Sequence, residues 1–558
     1  MVVNIGTTLN VTSSGPLGDL TMNGGRVRIE DPATGQALTV SVTNADLSFG
    51  EIYHSYSQFG GTTLNLLGDS RIAGSASVVP DTRMYFRASV FDSQGFAVVN
   101  KGQVFQTATG EVALRGLARF VNDVGATFFI QNNKGIDGSL DPNIPTFFNS
   151  GSLIKVSGAG VSNINARFSQ SSGKVESWEG EIRLNVGGNF SNAAFYADGL
   201  GNNQGLVGIS FAGSNVFNGH TLTETGAVRL LPGATLAVSG VWNQKSFFIN
   251  EGSIFSTAVF RNQADTQNVG RFEVYGVGAA LYNETRLSNS GTIVLNSFTV
   301  FENSGEVGGN ISGALSGAGG LLINKPTGSF SLAIRPLLDQ YDIEVGRINV
   351  LNQGQFVVAN GRSVQVANFD NTGGSVEVNG TVQNVGGQFR LTGGVLHGNG
   401  IINGEVFVGG GPTVATFKPG SSPGTFTVDG PLNLLPGGVL ELEIERDPLT
   451  HLITHDRVVA TSFSLDGKVV FLVGNGVESD DVTGLQFLDC GGACSVTYGS
   501  NFSFEFPGRS GSTLFMGENG LQISSLAPVP EPGTYAMLLA GLALVGGLAS
   551  RRRRVVAT

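Results

Sequence analysis

The chain has 558 residues, of which 83 are glycine; 13% of its residues are charged and 41% are hydrophobic. Its formal net charge of -11 argues against a nucleic-acid-binding protein, because such a protein needs a basic surface to meet phosphates. The 37 phenylalanines and the low charge content also exclude a chain that is disordered through charge. This composition indicates a large, mildly acidic β protein, and it points to no cofactor and no particular reaction.

The first predicted element is a strand at the N-terminus. Residues 1–10 alternate apolar and polar side chains, and they contain neither the basic region nor the apolar core of a secretory signal peptide. Because the C-terminal features described below require export, we expect the true translation start to lie upstream, with the signal peptide missing from this sequence.

An Asn-x-Gly unit recurs through the body of the chain, and an apolar residue follows shortly after most of the glycines. Asn250, Asn268 and Asn289 are separated by 18 and 21 residues, which suits one coil of a parallel β-helix. Asparagine and glycine are then expected at the corners of the coil, in left-handed or tight backbone conformations. The unit occurs, among other places, at Asn149–Gly151, Asn250–Gly252, Asn268–Gly270, Asn289–Gly291, Asn303–Gly305, Asn352–Gly354, Asn371–Gly373 and Asn384–Gly386.

The alternative architecture is an array of antiparallel β-sandwiches, which would contain more two-residue hairpin turns. It stays open because Asn-Gly pairs, which are typical of such turns, are present in the chain. Examples begin at Asn218, Asn360, Asn379, Asn399 and Asn403.

Residues 393–473 depart from the repeat. A turn sequence at 418–424 precedes a strand at 439–445, and Asp456 and Leu465 each begin a further apolar run. This succession resembles the distal part of the β-helical passenger regions in autotransporter-like and PEP-CTERM surface proteins. The resemblance implies a β-helical body, and we expect the strands of residues 484–526 to cap its end, because an open solenoid end exposes strand edges.

Two patterns in this region match catalytic or metal-binding motifs. Gly420–Gly424 fits the G-x-S-x-G nucleophile pattern, but a strand follows it where that motif needs a helix. His451 and His455 have the spacing of two zinc ligands on a helix, but the surrounding residues predict a strand or loop. We therefore interpret both patterns as structural.

Two acidic groups also occur. The glutamates of the 441–445 strand share one face, an arrangement that could pair carboxylates for acid–base catalysis but is more typical of a solvated surface. Glu478, Asp480 and Asp481 form an acidic loop that lacks the ligand spacing of a calcium loop. No catalytic, metal or cofactor site is predicted from either group.

Cys490 and Cys494 are the only cysteines in the chain. A single close pair cannot supply a cysteine-rich zinc site, and the two glycines between them permit the tight turn of a small disulfide loop. We expect a structural disulfide formed in an oxidising compartment.

The C-terminus combines a proline-rich segment, 15 uncharged residues at 535–549, and a run of arginines. The prolines make an extended, accessible segment. As a helix, the uncharged run spans about 22 Å, so it needs flanking residues and snorkelling arginines to reach across a core of about 30 Å. The arginines place their end in the cytoplasm. The residues that define the flanking features are Val529, Pro530, Glu531, Pro532, Arg551, Arg552, Arg553 and Arg554.

This order of features resembles the PEP-CTERM sorting signal of Gram-negative bacteria, from Val529 to Arg554. The resemblance implies export across the inner membrane, transient anchoring there through the C-terminal helix, and cleavage near Pro-Glu-Pro by an exosortase-type membrane peptidase. Attachment to the cell surface or secretion would follow.

Together these features predict an all-β fold: a right-handed parallel β-helix with a capping β region and one short C-terminal transmembrane helix. The predicted function is that of a non-catalytic structural or adhesive protein of the cell surface or of an exopolysaccharide and biofilm matrix, with polysaccharide as a possible partner. The alternative is a lyase or glycoside hydrolase, because pectin-degrading enzymes use β-helix scaffolds. The predicted regions are early coils (1–140), β-helix repeats (141–430), the capping region (431–526) and the sorting segment (527–558).

Overall fold

The computed structural model of the protein describes residues 1–31, 33, 36–53, 62–72, 83–87, 96–138, 144–197, 208–296, 298–308, 314–332, 347–420, 423–492, 495–517, 520–527 and 539–545. Strands dominate these residues, with one 3₁₀ helix at Ser479–Val482 and a helical stretch at 539–545. In the described residues the fold is a parallel β-solenoid of the right-handed type, so the predicted β-helix is confirmed. The chain divides into two compact units, Met1–Val350 and Leu351–Thr558.

A typical coil of the first unit contains three short strands, each of which pairs in parallel with its counterpart one coil later. Thr146–Asn149, for example, pairs with Arg167–Ser171. The strands of this unit are Val2–Asn4, Thr8–Val11, Gly15–Ile29, Thr39–Tyr53, Thr62–Leu66, Asp69–Ile72, Arg83–Arg87, Phe96–Asn100, Gln103–Gln106, Glu111–Arg115, Ala118–Asn122, Thr127–Ile130, Ile136–Asp137, Thr146–Asn149, Ser152–Lys155, Val161–Ile164, Arg167–Ser171, Lys174–Ser177, Glu181–Leu184, Gly187–Ser191, Ala194–Ala197, Ile209–Phe211, Ser214–Asn218, His220–Leu230, Thr235–Val238, Val241–Asn250, Ser253–Ser256, Val259–Asn262, Thr266–Asn268, Arg271–Val274, Ala280–Asn283, Arg286–Asn289, Thr292–Leu295, Val300–Asn303, Glu306–Val307, Ala314–Asn324 and Ser329–Leu332.

The second unit is also built from parallel strand pairs, as in the pairing of Gln355–Val358 with Ser375–Val378. Among the described residues, antiparallel strand pairs occur only in two hairpins near the C-terminus, so the sandwich alternative is wrong. The strands from residue 347 onward are Arg347–Asn352, Gln355–Val358, Ser363–Val366, Asn368–Asn371, Ser375–Val378, Thr381–Leu391, Gly394–Gly398, Ile401–Val408, Ala415–Pro419, Thr425–Leu434, Gly438–Arg446, Ile453–His455, Arg457–Leu465, Lys468–Val473, Leu488–Asp489, Val496–Tyr498, Ser503–Glu505, Thr513–Gly517 and Gly520–Ser525.

The core is a column of stacked side chains inside the coils. Because side chains alternate along a strand and coils repeat at about 4.8 Å, equivalent inward residues lie directly above one another. Phe120, Phe147 and Phe168 are register neighbours whose ring centroids lie 5.3 and 5.6 Å apart, in nearly parallel planes. Each buried phenylalanine contributes about 1.5–3 kcal/mol of transfer free energy, which explains why the fold needs no single globular centre.

Many asparagines at strand ends, several of them in the repeat unit, point into the coil, where they hydrogen-bond from one coil to the next. Nδ2 of Asn262 donates to Oδ1 of Asn283, Asn283 donates to Asn303, and Asn303 donates to Asn324, at 2.7–2.8 Å. These amides are buried, and each interior one both accepts and donates, as buried polar groups require. Shorter ladders join Asn100, Asn122 and Asn149; Asn250, Asn268 and Asn289; and Asn352 and Asn371.

The glycines of these units reflect the close approach of neighbouring coils. A Cβ atom at Gly270, Gly291 or Gly305 would lie 2.0, 1.9 or 1.8 Å from a carbonyl oxygen of the preceding coil. None of these three has a positive φ, so of the two predicted corner conformations, left-handed or tight, the left-handed one does not occur at these glycines. It is correct one residue beyond the Asn371 unit, where Gly374 has a φ of 64°.

Coil-to-coil pairing continues far into the predicted capping region, as far as Ser503–Glu505, which pairs with the strand starting at Lys468. The hairpin of Thr513–Gly517 and Gly520–Ser525 follows. Ser479 connects the 3₁₀ helix to the end of the hairpin. Its Oγ accepts the N–H of Leu526 at 2.8 Å and donates to the carbonyl oxygen of Leu526 at 3.1 Å.

Candidate functional site

The predicted sorting residues lie outside the described residues. They are Val529, Pro530, Glu531, Pro532, Arg551, Arg552, Arg553 and Arg554. Of the apolar run between them, residues 539–545 are described; they are helical, and Leu539, Leu542, Leu544 and Val545 are each 62–67% exposed. Among the described residues, no helix combines the length and the hydrophobicity needed to cross a membrane. The transmembrane helix therefore stays a prediction.

A buried carboxylate, Asp456, links the turn and the strand of the 393–473 region. Its Oδ1 accepts the N–H of Gly424 and its Oδ2 accepts the N–H of Glu443, both at 2.8 Å. Asp456 is 1% exposed. Asp456 directly precedes the strand Arg457–Leu465. Its side chain satisfies one backbone donor of the glycine-rich turn and one of the strand Gly438–Arg446, which explains why these three segments occur together in this region.

The buried surroundings of Asp456 favour its protonated form. Burial raises the pKa of Asp456 to about 6, with Glu443 and Glu441 adding to the rise and the two backbone hydrogen bonds opposing it. Burial also raises the pKa of Glu443, as do the neighbouring Glu445 and Glu441, while Lys418 opposes this. Lys418 is engaged in an ion pair of 2.6 Å with Glu441. Because backbone donors occupy both Asp456 oxygens, this carboxylate has a structural role. We call Asp456 and its hydrogen bonds to Gly424 and Glu443 the Asp456 latch.

Asp456 should make stability depend on pH. The pKa of Asp456 is about 6 in the folded chain, and it returns to the ordinary value of 3.8 when the chain unfolds. Between these two pH values the folded chain binds more protons than the unfolded chain. The folded chain therefore loses stability as the pH rises from 3.8 to about 6. We expect the unfolding free energy of the wild type relative to Asp456→Asn to decrease by up to about 3 kcal/mol from about pH 4 to about pH 7. Urea unfolding at several pH values measures this difference. The exposed Asp429→Asn variant is the control, and a difference independent of pH would contradict the prediction.

The two motif-like patterns do not come together as a catalytic or zinc site. Residues 421 and 422 of Gly420–Gly424 lie outside the described residues, and a strand follows them. His451 lies in a turn with a φ of 56°, and His455 ends a strand, with its Nδ1 2.9 Å from the Asp456 carbonyl oxygen and its ring against Phe487. Within the described part of the chain, no group of three or more acidic, histidine or cysteine side chains could hold a metal ion.

The acidic groups have structural surroundings. Glu441 and Glu443 are half-buried on the outer face of their strand, and Glu445 is exposed. In the acidic loop, Asp481 contacts Arg446, and its pKa is lowered first by the backbone N–H of Glu478 and then by Arg446. Asp480, by contrast, is exposed. Asp481 thus connects the loop to the strand that carries the glutamates.

Cys490 is disulfide-bonded, and Cys494 lies outside the described residues, so the pairing of the two cysteines stays a prediction. Next to this position, Asp489 accepts the N–H of Gly491 at 2.8 Å and contacts Arg457. Both contacts lower the pKa of Asp489. They hold the turn against the coil that contains Arg457.

Sequence reasoning missed a buried lysine. Lys155 is fully buried, and its Nζ donates to the carbonyl oxygens of Asn132 at 2.7 Å and Ser157 at 3.2 Å and to Oγ of Ser162 at 3.0 Å. Burial lowers its pKa to about 8, against the opposing charge of Glu179. Strand alternation was the available signal, because it places residue 155 on the inward side.

Comparison with known proteins identifies the C-terminus. No curated protein matches the chain significantly. The family model of the PEP-CTERM protein-sorting motif matches residues 528–554, which include the Pro-Glu-Pro sequence, the apolar run and the arginines. The match implies an exported protein that an exosortase sorts to the cell surface or the medium. Residues 528–554 of this chain are therefore a PEP-CTERM protein-sorting motif, as the order of C-terminal features predicted.

Proposed function

We propose that this protein is an exported, non-catalytic structural or adhesive component of the cell surface or of the exopolysaccharide matrix of a Gram-negative biofilm. The observation that carries the proposal is the combination of a sorting motif with a body of stacked β coils. The motif directs the chain outward. The coils present regularly spaced outer faces on a hydrogen-bonded backbone, so the protein acts by displaying side chains rather than by chemistry.

Transient anchoring in the inner membrane is part of the proposal. Residues 535–549 carry no charge, and the leucines of 539–545 are exposed on a helix, which is unfavourable in water and favourable in lipid. The four arginines that follow favour a cytoplasmic position for the end of that helix. The body then lies outside, with the Pro-Glu-Pro sequence between it and the membrane.

Processing by an exosortase is tested by cell fractionation and mass analysis of the C-terminus. In cells that contain the matching peptidase, we expect a chain that ends near Pro-Glu-Pro in the surface or medium fraction. In cells without it, we expect the intact chain in the membrane fraction. Glu531→Gln should leave more intact chain, and Glu505→Gln on the body should not. Intact chain in the cytosol of peptidase-containing cells would contradict the proposal.

A polysaccharide-active enzyme is the second candidate. It is favoured by the raised pKa values of Asp456 and Glu443, because a general acid needs such a shift. Against it, both oxygens of Asp456 are engaged by backbone N–H groups. Incubation with acidic and neutral polysaccharides should produce no new reducing or unsaturated ends. Products that disappear in Glu443→Gln would favour the enzyme.

A further inference from the structure

Trp178 is the exposed member of the two tryptophans in the chain. It is 50% exposed, whereas Trp242 is fully buried. Its Nε1 donates to one oxygen of Glu176 at 3.2 Å, and the other oxygen of Glu176 lies 2.6 Å from Nζ of Lys174. Lys174 and Glu176 alternate on the outer side of the strand Lys174–Ser177, and Trp178 directly follows that strand. One carboxylate therefore holds both an indole ring and an ammonium group in place.

The neighbouring coils complete this surface. On the following coil, the half-buried Tyr196 lies directly opposite Glu176, and the small Ala194 lies opposite Lys174. On the preceding coil, Ser152 lies opposite Lys174. The exposed indole thus contacts a carboxylate that also pairs with an ammonium group, and a phenol lies opposite that carboxylate on the following coil.

We propose that Lys174, Glu176, Trp178 and Tyr196 form a binding platform for an uncharged pyranose unit of an extracellular polysaccharide. This inference rests on the proposed function and names the ligand class of the displayed surface. The C–H face of a pyranose is apolar and packs on an aromatic ring, while its hydroxyl groups hydrogen-bond to polar groups around that ring. Because the contacts of Glu176 already hold the side chains of Lys174 and Trp178, binding costs little ordering of these two groups.

The charge around the platform selects among ligands that stack on an indole ring. Nucleobases stack on tryptophan too, but their phosphates would meet Glu176 and the exposed Glu179 on a chain of net charge -11. Acidic sugars meet the same repulsion. Lys174 does not reverse it, because its charge is already paired with Glu176.

Tryptophan fluorescence tests the platform, because Trp242 is shielded and Trp178 reports on its surface. The full chain, in a detergent without a sugar headgroup, is titrated with hexasaccharides of β-linked glucose, galactose and mannose, and with hexagalacturonate. We expect at least one neutral hexasaccharide to change the emission saturably and to protect it from acrylamide. Calorimetry should show affinity reduced about tenfold or more in Trp178→Ala and largely retained in Trp178→Phe. Val124→Ala, at a position 79% exposed elsewhere, is the control.

Several results would overturn the platform. They are a lack of saturable change with all three neutral probes, an unchanged affinity in folded Trp178→Ala, or tighter binding of hexagalacturonate. Capture of a protein through Trp178 without sugar binding would make the surface a protein contact instead. Binding is measured on purified chain and processing in cells, so failure of one experiment is distinguishable from failure of the other.

Discussion

Replacing Gly291 by alanine should strongly destabilise the coils around it, because the added Cβ has no space. That atom would lie 1.9 Å from the carbonyl oxygen of Gly270. The same oxygen accepts the N–H of Thr292 at 2.9 Å, so it cannot move away without loss of a coil-to-coil hydrogen bond. We expect the unfolding free energy to fall by about 3 kcal/mol or more, at the upper end for overpacking. Urea unfolding, combined with hydrogen exchange of the strands on either side, measures the effect.

Gly373→Ala is the matched control for this prediction. A Cβ there would meet nothing closer than the Gln353 carbonyl oxygen at 3.6 Å, and Gly373 has no positive φ, so we expect a change within about 0.5 kcal/mol. The adjacent Gly374 combines a φ of 64° with a contact of 2.0 Å to the Gly354 carbonyl oxygen, and its alanine variant should resemble Gly291→Ala. Equal effects at Gly373 and Gly291 would contradict the close-approach explanation.

The coil could be predicted from the sequence because corner residues recur at the length of one turn, but the corners themselves could not be told apart. Asn268 and Asn289 belong to one ladder, whereas Asn283 and Asn303 belong to another. Asn289 and Asn303, which are 14 residues apart, therefore lie at two different corners of the coil. In the sequence they looked like two members of one repeat with an irregular spacing. Asn384 lies inside the long strand Thr381–Leu391 and is no such corner, although its local sequence is the same.

The sorting motif was predictable because every feature of it lies within one continuous segment. The Asp456 latch was not, because it joins residues 13 and 32 positions apart in the chain, and neither hydrogen bond has a local sequence signature. Strand alternation predicted the outward side of Glu441 and Glu443 correctly. It could not predict that the backbone N–H of Glu443 would be satisfied by the buried carboxylate of Asp456, which lies between two other strands.

Replacing Asn283 by leucine should divide the asparagine ladder from Asn262 to Asn324 and cost about 2–4 kcal/mol of unfolding free energy. Asn283 is fully buried; it accepts from Nδ2 of Asn262 and donates to Oδ1 of Asn303, both at 2.7 Å. Leucine has a similar size but no polar atoms, so Asn262, Asn303 and the carbonyl oxygen of Glu306 each lose one hydrogen bond inside the coil. Urea unfolding measures the cost, and Asn189→Leu on the exposed outer surface should change stability little.

Two further variants separate the hydrogen bonds of the ladder from its packing. Asn262→Leu combined with Asn283→Leu should cost less than the sum of the single variants, because the pair removes a donor together with its acceptor. Asn283→Asp keeps the size of the side chain, but a carboxylate cannot donate to Asn303, so at neutral pH it should destabilise at least as much as leucine. Additive costs, or a stable aspartate variant, would mean that the asparagines act through their shape. The ladder would then not be the reason why asparagine stands at these corners.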